Sequence, residues 1–207
     1  GRAVTAWLGR SSEMSAMHAE SRWVQDPYSL RCVPQVHGAV WEELRQAGMI
    51  LECELNAATD NPLLFPEEME AVSCGNFHAI YPARVSDRLA SAFATLTNIS
   101  ERRISQAMCA PRKHLPTFLV RQGGVNSGFM MAHVSAAALV SEAKSLSFPA
   151  SVDSIPTNIL QEDHVSMGPI AGSKALRNVD ILRRVLAIEL LAAAQAMHLL
   201  RPRKGAP

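Results

Sequence analysis

A tyrosine and an arginine stand three positions apart in the sequence QDPYSLR of residues 25–31. The proline before Tyr28 favours a first helical turn, in which a spacing of three places Tyr28 and Arg31 on one face. A guanidinium is the side chain best shaped to bind a carboxylate through two parallel hydrogen bonds. The pair therefore indicates a site for a small carboxylate ligand, although a helical turn with a surface salt bridge fits the same spacing.

Two shorter polar segments add an amide, an aromatic ring and an imidazole. In TDNP, residues 59–62, the following proline favours an extended backbone at Asn61, whose amide can donate to an anion or accept from a neighbour. In GNFH, residues 75–78, Phe77 and an imidazole precede a long helical pattern. The alternatives are a simple turn at Asn61 and a helix cap with Phe77 in the core.

The polar segment of residues 151–164 contains the groups best suited to proton transfer. Its sequence QEDH places Glu162 and Asp163 beside His164. Adjacent carboxylates and an imidazole are the side chains that enzymes use most often as general acids and bases. The segment is therefore a candidate for acid–base chemistry, and a solvated helix start is the alternative.

Several other functional classes are excluded. The 20 basic and 19 acidic residues give a net charge of +1, which excludes a nucleic-acid surface built on bulk charge. There is no GxSxG sequence for a serine hydrolase, and Gly123-Gly124 lacks the further glycines and lysine of a phosphate-binding loop. We therefore expect no nucleic-acid partner, and the pair Tyr28 and Arg31 indicates a small-molecule ligand instead.

The four cysteines are widely spaced and form no CxxC pair, which indicates neither a zinc site nor a disulfide framework. No stretch of about 18 apolar residues is free of polar interruption. We expect a soluble protein of a reducing compartment, cytoplasmic, without a metal and without a membrane partner.

The segments between these polar stretches have the apolar spacing of helices, and these helices must position the polar segments. The apolar positions predict helices over residues 85–99, from 129 to before Pro149, 179–200, and 35 to about 55. Strand signals are scarce, and no linker or repeat divides the chain. The sequence therefore predicts an all-α fold in one helical unit over residues 1–207, and its nearly all-apolar helices predict packing against other subunits.

Eight segments, in order along nearly the whole chain, closely resemble the aromatic amino acid ammonia-lyase family. QEDHVSM in particular resembles the histidine ammonia-lyase branch rather than the plant-type phenylalanine enzymes. The eight segments are VQDPYSLRCVPQV (24–36), TDNPL (59–63), GNFHA (75–79), SERRIS (100–105), GGVNSGFM (123–130), SVDSIPT (151–157), QEDHVSMGPIAG (161–172) and LAIELLAAAQ (186–195).

The resemblance implies a bundle of long helices in a homotetramer, with each active site assembled from three subunits. It implies the electrophile 4-methylidene-imidazol-5-one (MIO), which forms from an Ala-Ser-Gly tripeptide, with no metal. These 207 residues contain no Ala-Ser-Gly. The resemblance therefore implies that this chain is a middle-to-C-terminal fragment or separate subunit. An N-terminal part, either preceding Gly1 in a longer chain or present as a second chain, would supply the electrophile, and the isolated chain would be inactive.

The resemblance also implies roles for individual residues. Arg31 is expected to bind the substrate carboxylate, assisted by Asn61, with Gln25 as a further candidate. Tyr28 is expected to lie beside the electrophile and support proton movements. Two further residues complete the predicted set: Phe77 is expected to pack against the prosthetic ring, and Glu162 to contact the substrate side chain.

The reaction implied is elimination of ammonia from an aromatic L-amino acid, with L-histidine and the product trans-urocanate favoured. Three alternatives stay open at this point. The first is that the chain belongs to a tyrosine or phenylalanine ammonia-lyase or aminomutase. The second is that it is a non-catalytic helical assembly subunit, and the third is that it belongs to the related MIO-free lyases that act on betaines.

Overall fold

The computed structural model describes Glu13, Ala16 and residues 24–109 and 114–203. Long helices dominate these residues, as the sequence predicts, and the all-α fold class is confirmed. The elements are α1 (Tyr28–Arg31), α2 (Val33–Leu55), β1 (Leu63–Phe65), β2 (Glu70–Val72), α3 (Ile80–Met108), α4 (Met130–Leu146) and α5 (Gly168–Leu199), with 3-10 turns at Thr117–Leu119 and Asn158–Leu160.

The four predicted helices correspond to α2, α3, α4 and α5, and the last begins earlier than predicted. The apolar pattern of residues 179–200 covers only the later part of α5, which starts at Gly168. Its first turn contains Pro169, a residue that is tolerated at the start of a helix because its missing N–H needs no partner there. The short antiparallel hairpin of β1 and β2, in which Leu63 pairs with Val72, was not predicted.

The chain divides into two compact units. Unit 1 comprises Gly1–Ala39, Thr95–Glu142 and Ile181–Pro207, and unit 2 comprises Val40–Ala94 and Ala143–Asp180. The predicted single unit over residues 1–207 includes residues outside the described ranges and stays a prediction. Within the described part of the chain, no helix combines the length and apolar character that a membrane crossing requires.

Unit 1 is built around an apolar cluster contributed by α3, α4, α5 and the turn at Thr117–Leu119. Burial of such side chains is the main stabilising contribution in a helical core, about 1.5–3 kcal/mol for each large one. Its buried members are Ile104, Met108, Leu119, Ala136, Val185 and Ala192.

Charged side chains also join the helices of unit 1. Glu189 of α5 accepts hydrogen bonds from Arg103 and Ser100 of α3, and Arg103 Nη2 lies 2.8 Å from Glu189 Oε2. Glu101, which is almost fully buried, contacts His133 of α4 at 2.8 Å. Two donors on one carboxylate fix the rotation of α3 against α5 more narrowly than apolar contacts do.

In unit 2 a buried amide joins three helices. The Nδ2 atom of Asn178 in α5 donates to the carbonyl of Ala90 in α3 at 3.0 Å and to that of Ala143 in α4 at 3.3 Å. Small residues at Ala83, Ala150 and Ala171 pack in the same unit.

Asp87 of α3 anchors the start of the polar segment that contains Glu162. Its buried carboxylate accepts the backbone N–H of Ala150 at 2.9 Å and that of Ser151 at 2.7 Å. These two N–H groups follow α4 and have no helical partner, so the carboxylate satisfies them both.

Replacing Asp87 with alanine should lower the free energy of unfolding by about 2–4 kcal/mol, because two charge-assisted hydrogen bonds are lost and two N–H groups lose their acceptor. Urea unfolding of the purified protein measures this change. Asp153→Ala, which removes an exposed carboxylate from the same segment, is the matched control and should change stability by less than about 0.5 kcal/mol. Equal effects of the two substitutions would contradict the anchoring role of Asp87.

The pKa of His37 in α2 is lowered by partial burial of its imidazole and by the nearby Arg103, while Glu189 acts in the opposite direction. The unfolded chain therefore binds a proton on His37 at a higher pH than the folded chain does. The neutral imidazole of His37 therefore contributes fully to the stability of the folded protein above pH 6.5. This contribution is lost as the pH falls through the lowered pKa of His37.

Acidification from pH 8 to pH 5.5 should therefore lower the Tm of the unsubstituted protein more than that of His37→Gln, which has no imidazole to protonate. Thermal unfolding at the two pH values measures the difference. A larger fall in Tm for His37→Gln than for the unsubstituted protein would contradict a lowered pKa of His37 in the folded state.

Candidate functional site

The predicted pair Tyr28 and Arg31 lies in the single-turn helix α1 of unit 1. Pro27 precedes the helix, and its carbonyl accepts the backbone N–H of Arg31 at 3.1 Å. The guanidinium carbon of Arg31 lies 4.5 Å from the centre of the Tyr28 ring. A cation over a ring face is an attractive contact, and it leaves the N–H groups at the guanidinium edge able to bind a carboxylate.

Both side chains of this pair are exposed, and so is Gln25, which lies three residues before Tyr28. Tyr28 and Arg31 therefore lie on one helical face, as predicted, and the contact between them is that of a cation with a ring. Gln25 precedes the helix.

In unit 2, Asn61 lies at the entry to the β1–β2 hairpin, and its side chain spans the base of that hairpin. Its Oδ1 atom accepts the backbone N–H of Cys74 at 2.9 Å and the hydroxyl of Ser73 at 3.4 Å. The Asn61–Pro62 peptide bond is cis. Because Oδ1 already accepts two hydrogen bonds, the amide orientation is defined, and its NH₂ group is the part suited to donate to an anion.

Phe77 stands in the turn before α3 and is 55% exposed. The alternative that placed this ring in the core is therefore wrong for this chain. Next to it, the ring of His78 stacks on that of His164 with a centroid separation of 5.3 Å, and the Nε2 atom of His78 lies 3.1 Å from the carbonyl of His164. This contact joins the turn that carries Phe77 to the segment that carries Glu162.

Glu162 lies in an exposed loop before α5, so the alternative of a helix start at residues 161–164 is wrong. Its Oε2 atom accepts the hydroxyl of Thr157 at 2.6 Å. The backbone of the same two residues is paired as well, with Thr157 N donating to Glu162 O at 3.0 Å. The carboxylate therefore has a defined orientation, with Oε1 able to accept from a second donor.

Unit 1 thus brings Tyr28 and Arg31 together, and unit 2 joins the turn of Phe77 to the loop of Glu162 through two histidines. Sequence reasoning missed the contact of His78 with His164 and the bond from Thr157 to Glu162. Thr157 lies five residues before Glu162. Neither helical nor strand periodicity predicts a contact at this spacing in an irregular loop. The two histidines are 86 residues apart, and no local pattern signals their contact.

The groups present fit the binding of an organic molecule. Within residues 24–109 and 114–203, no three side chains of metal-ligating type lie together. A guanidinium and an amide can bind an anion, an exposed aromatic ring can stack on a planar group, and a carboxylate can accept from a ring N–H.

Comparison with known proteins agrees with this chemistry. The sequence model of the aromatic amino acid lyase family matches residues 2–207. The histidine ammonia-lyase of Yersinia enterocolitica is 52% identical over 198 residues, which cover 96% of this chain and 38% of that protein. The enzyme of the same name from Burkholderia vietnamiensis is 52% identical over 200 residues, covering 97% of this chain and 39% of that protein. The chain thus spans about two fifths of the length of these relatives.

Solved structures give the same picture. The crystal structure of histidine ammonia-lyase from Trypanosoma cruzi matches with a TM-score of 0.83 at 53% identity, over 88% of this chain and 36% of that one. Phenylalanine aminomutase from Pantoea agglomerans matches with a TM-score of 0.84 at 29% identity, over 96% of this chain and 42% of that one.

Proposed function

Because the chain belongs to the aromatic amino acid lyase family, we propose that it forms part of a carbon–nitrogen lyase that eliminates ammonia from an aromatic L-amino acid. We propose L-histidine as the substrate and trans-urocanate as the product. The observation that carries this choice is the 52% identity to histidine ammonia-lyases over almost the whole chain. The match to the Pantoea phenylalanine aminomutase, at 29% identity, supports a phenylalanine or tyrosine lyase or aminomutase as the second candidate.

In this proposal Arg31 binds the substrate carboxylate through two hydrogen bonds. The ring of Tyr28 supports the guanidinium at 4.5 Å and so restricts its rotamers before substrate binds. The NH₂ group of Asn61 supplies a further donor to the carboxylate, since its Oδ1 is occupied by the hairpin. Gln25 provides an exposed amide close to Tyr28 in sequence, and the Tyr28 hydroxyl takes part in proton movement.

Glu162 contacts the other end of the substrate. A carboxylate beside an imidazole accepts its N–H and stabilises positive charge on the ring, and this charge helps to acidify the neighbouring β-carbon. One guanidinium and one carboxylate thereby orient a dipolar substrate at its two ends. The proposal requires Arg31 and Glu162 to contact one substrate molecule in the active assembly.

The prosthetic group of the proposal is MIO. When present, it supplies an electrophilic methylidene for the substrate amine. The exposed ring of Phe77 is suited to pack against this planar group, and Tyr28 is suited to lie beside it. Since the 207 residues contain no Ala-Ser-Gly, the group must come from a segment outside this sequence, and we propose that the isolated chain is inactive.

We further propose a homotetramer, with an N-terminal segment present as part of a longer chain or as a second polypeptide. Its support is the apolar surface that α5 leaves exposed, including Leu190 at 72% exposure. A non-catalytic assembly subunit would share this surface, but it would release no product when combined with the MIO-bearing segment. A cytoplasmic location is supported by the four free cysteines, because thiols persist in a reducing compartment.

Replacing Arg31 with alanine in the active assembly, in which this chain is combined with the MIO-bearing segment, should cost about 2–4 kcal/mol of transition-state stabilisation. The reason is the loss of a charge-assisted, two-bond contact to the carboxylate. Steady-state kinetics of ammonia release measure kcat/KM. Arg45→Ala is the control, because Arg45 pairs with Glu42 within the exposed face of α2. An unchanged kcat/KM in Arg31→Ala would remove Arg31 from the proposed site.

Replacing Glu162 with glutamine should lower kcat/KM for histidine at least about tenfold more than for phenylalanine, because only histidine offers an imidazole N–H. Rates with both amino acids, followed by product absorbance, give the ratio. Glu67→Gln, in the turn between β1 and β2, is the control. Equal losses with both substrates would indicate that Glu162 has a structural role instead.

A further inference from the structure

The loop that carries Glu162 contains three consecutive non-glycine residues with left-handed backbone angles. Asn158, Ile159 and Leu160 have φ values of 49°, 56° and 68°. This region is sterically unfavourable for residues with a Cβ atom, most of all for a β-branched one. Ile159 is 99% exposed, so burial of its own side chain does not offset that cost within this chain.

Thr157 and Glu162 close the base of this strained loop. Their backbones form an antiparallel bridge, with Thr157 N to Glu162 O at 3.0 Å and Glu162 N to Thr157 O at 3.4 Å. The hydroxyl of Thr157 adds the side-chain bond to Glu162 Oε2 at 2.6 Å. The two backbone hydrogen bonds keep the loop closed, and the side-chain hydrogen bond holds the Glu162 carboxylate in the observed rotamer.

We propose that Thr157 is a positioning residue that determines the specificity of the site for an N–H donor on the substrate side chain. The inference rests on the proposed function. A hydroxyl has one proton, and in this structure Thr157 donates it to Oε2 of Glu162. Oε1 of Glu162 is then the oxygen that accepts from an imidazole N–H. Without Thr157 the carboxylate rotates among several rotamers, and its contact with the substrate is made in only a fraction of them.

The test compares two substitutions at Thr157 in the active assembly. Thr157→Val keeps the branched shape but removes the hydroxyl, whereas Thr157→Ser keeps the hydroxyl. The ratio of kcat/KM for histidine to that for phenylalanine should fall about tenfold in Thr157→Val, the expected effect of losing one well-oriented hydrogen bond. Thr157→Ser should stay within about twofold of the unsubstituted assembly. Thr117→Val, at an exposed threonine of the other 3-10 turn, is the matched control.

A double-substitution cycle separates positioning from a general structural effect. In the Glu162→Gln background, Thr157→Val should cause no further fall in the histidine-to-phenylalanine ratio, because the carboxylate that Thr157 orients is already absent. A further tenfold fall in that background would overturn the proposal. So would a fall in kcat/KM of the same size for both substrates in Thr157→Val alone.

Hydrogen exchange tests the loop without using activity. Amides of residues 157–162 should exchange faster in Thr157→Val than in the unsubstituted protein or in Thr157→Ser. Unchanged exchange in Thr157→Val would overturn the positioning role.

If the unsubstituted assembly releases no ammonia from histidine, tyrosine or phenylalanine, the proposed function is overturned and the specificity role with it. If the assembly is active and Thr157→Val keeps the substrate ratio, only the inference on Thr157 is overturned.

Discussion

The long helices of this chain carry more apolar surface than the chain itself covers. Within α5, large side chains stay in contact with water although the same helix contributes Val185 and Ala192 to the core of unit 1. Removing apolar area from water stabilises by about 25 cal/mol for each Å². Such a helix gains further stability only by packing against surfaces supplied from elsewhere. The exposed members are Ile170, Leu176, Leu186, Leu190, Leu191 and Met197.

Like the apolar side chains of α5, the six predicted site residues are left exposed by this chain. For Arg31, Asn61 and Glu162, contacts within this chain nevertheless define the orientation of the side chain. Arg31 rests on the ring of Tyr28, Asn61 binds the base of its hairpin, and Glu162 accepts from Thr157. A site that is completed by other polypeptides can work in this way, since each group is ordered before the remaining walls are added.

Buried polar side chains of the helices hold the start of the segment that carries Glu162 and join the helices of unit 2. Asp87 binds the two N–H groups that begin the segment leading to Glu162, and Asn178 joins α3, α4 and α5 within unit 2. Both side chains are buried, where a lost partner costs more than it would at the surface. Asp87 therefore fixes the backbone where this segment begins, and Asn178 fixes how the three helices pack in unit 2.

Amino-acid order alone determined the helices and the candidate groups. Apolar spacing predicted α2 to α5, because a helix buries one face at a period of 3.6 residues. The motifs around Arg31 and Asn61 pointed to a ligand with a carboxylate, and the motif around Glu162 pointed to acid–base chemistry. Only the tertiary structure decided the contact of His78 with His164, the bond from Thr157 to Glu162 and the early start of α5. These depend on backbone paths through irregular loops and on residues far apart in the chain, for which local periodicity carries no signal.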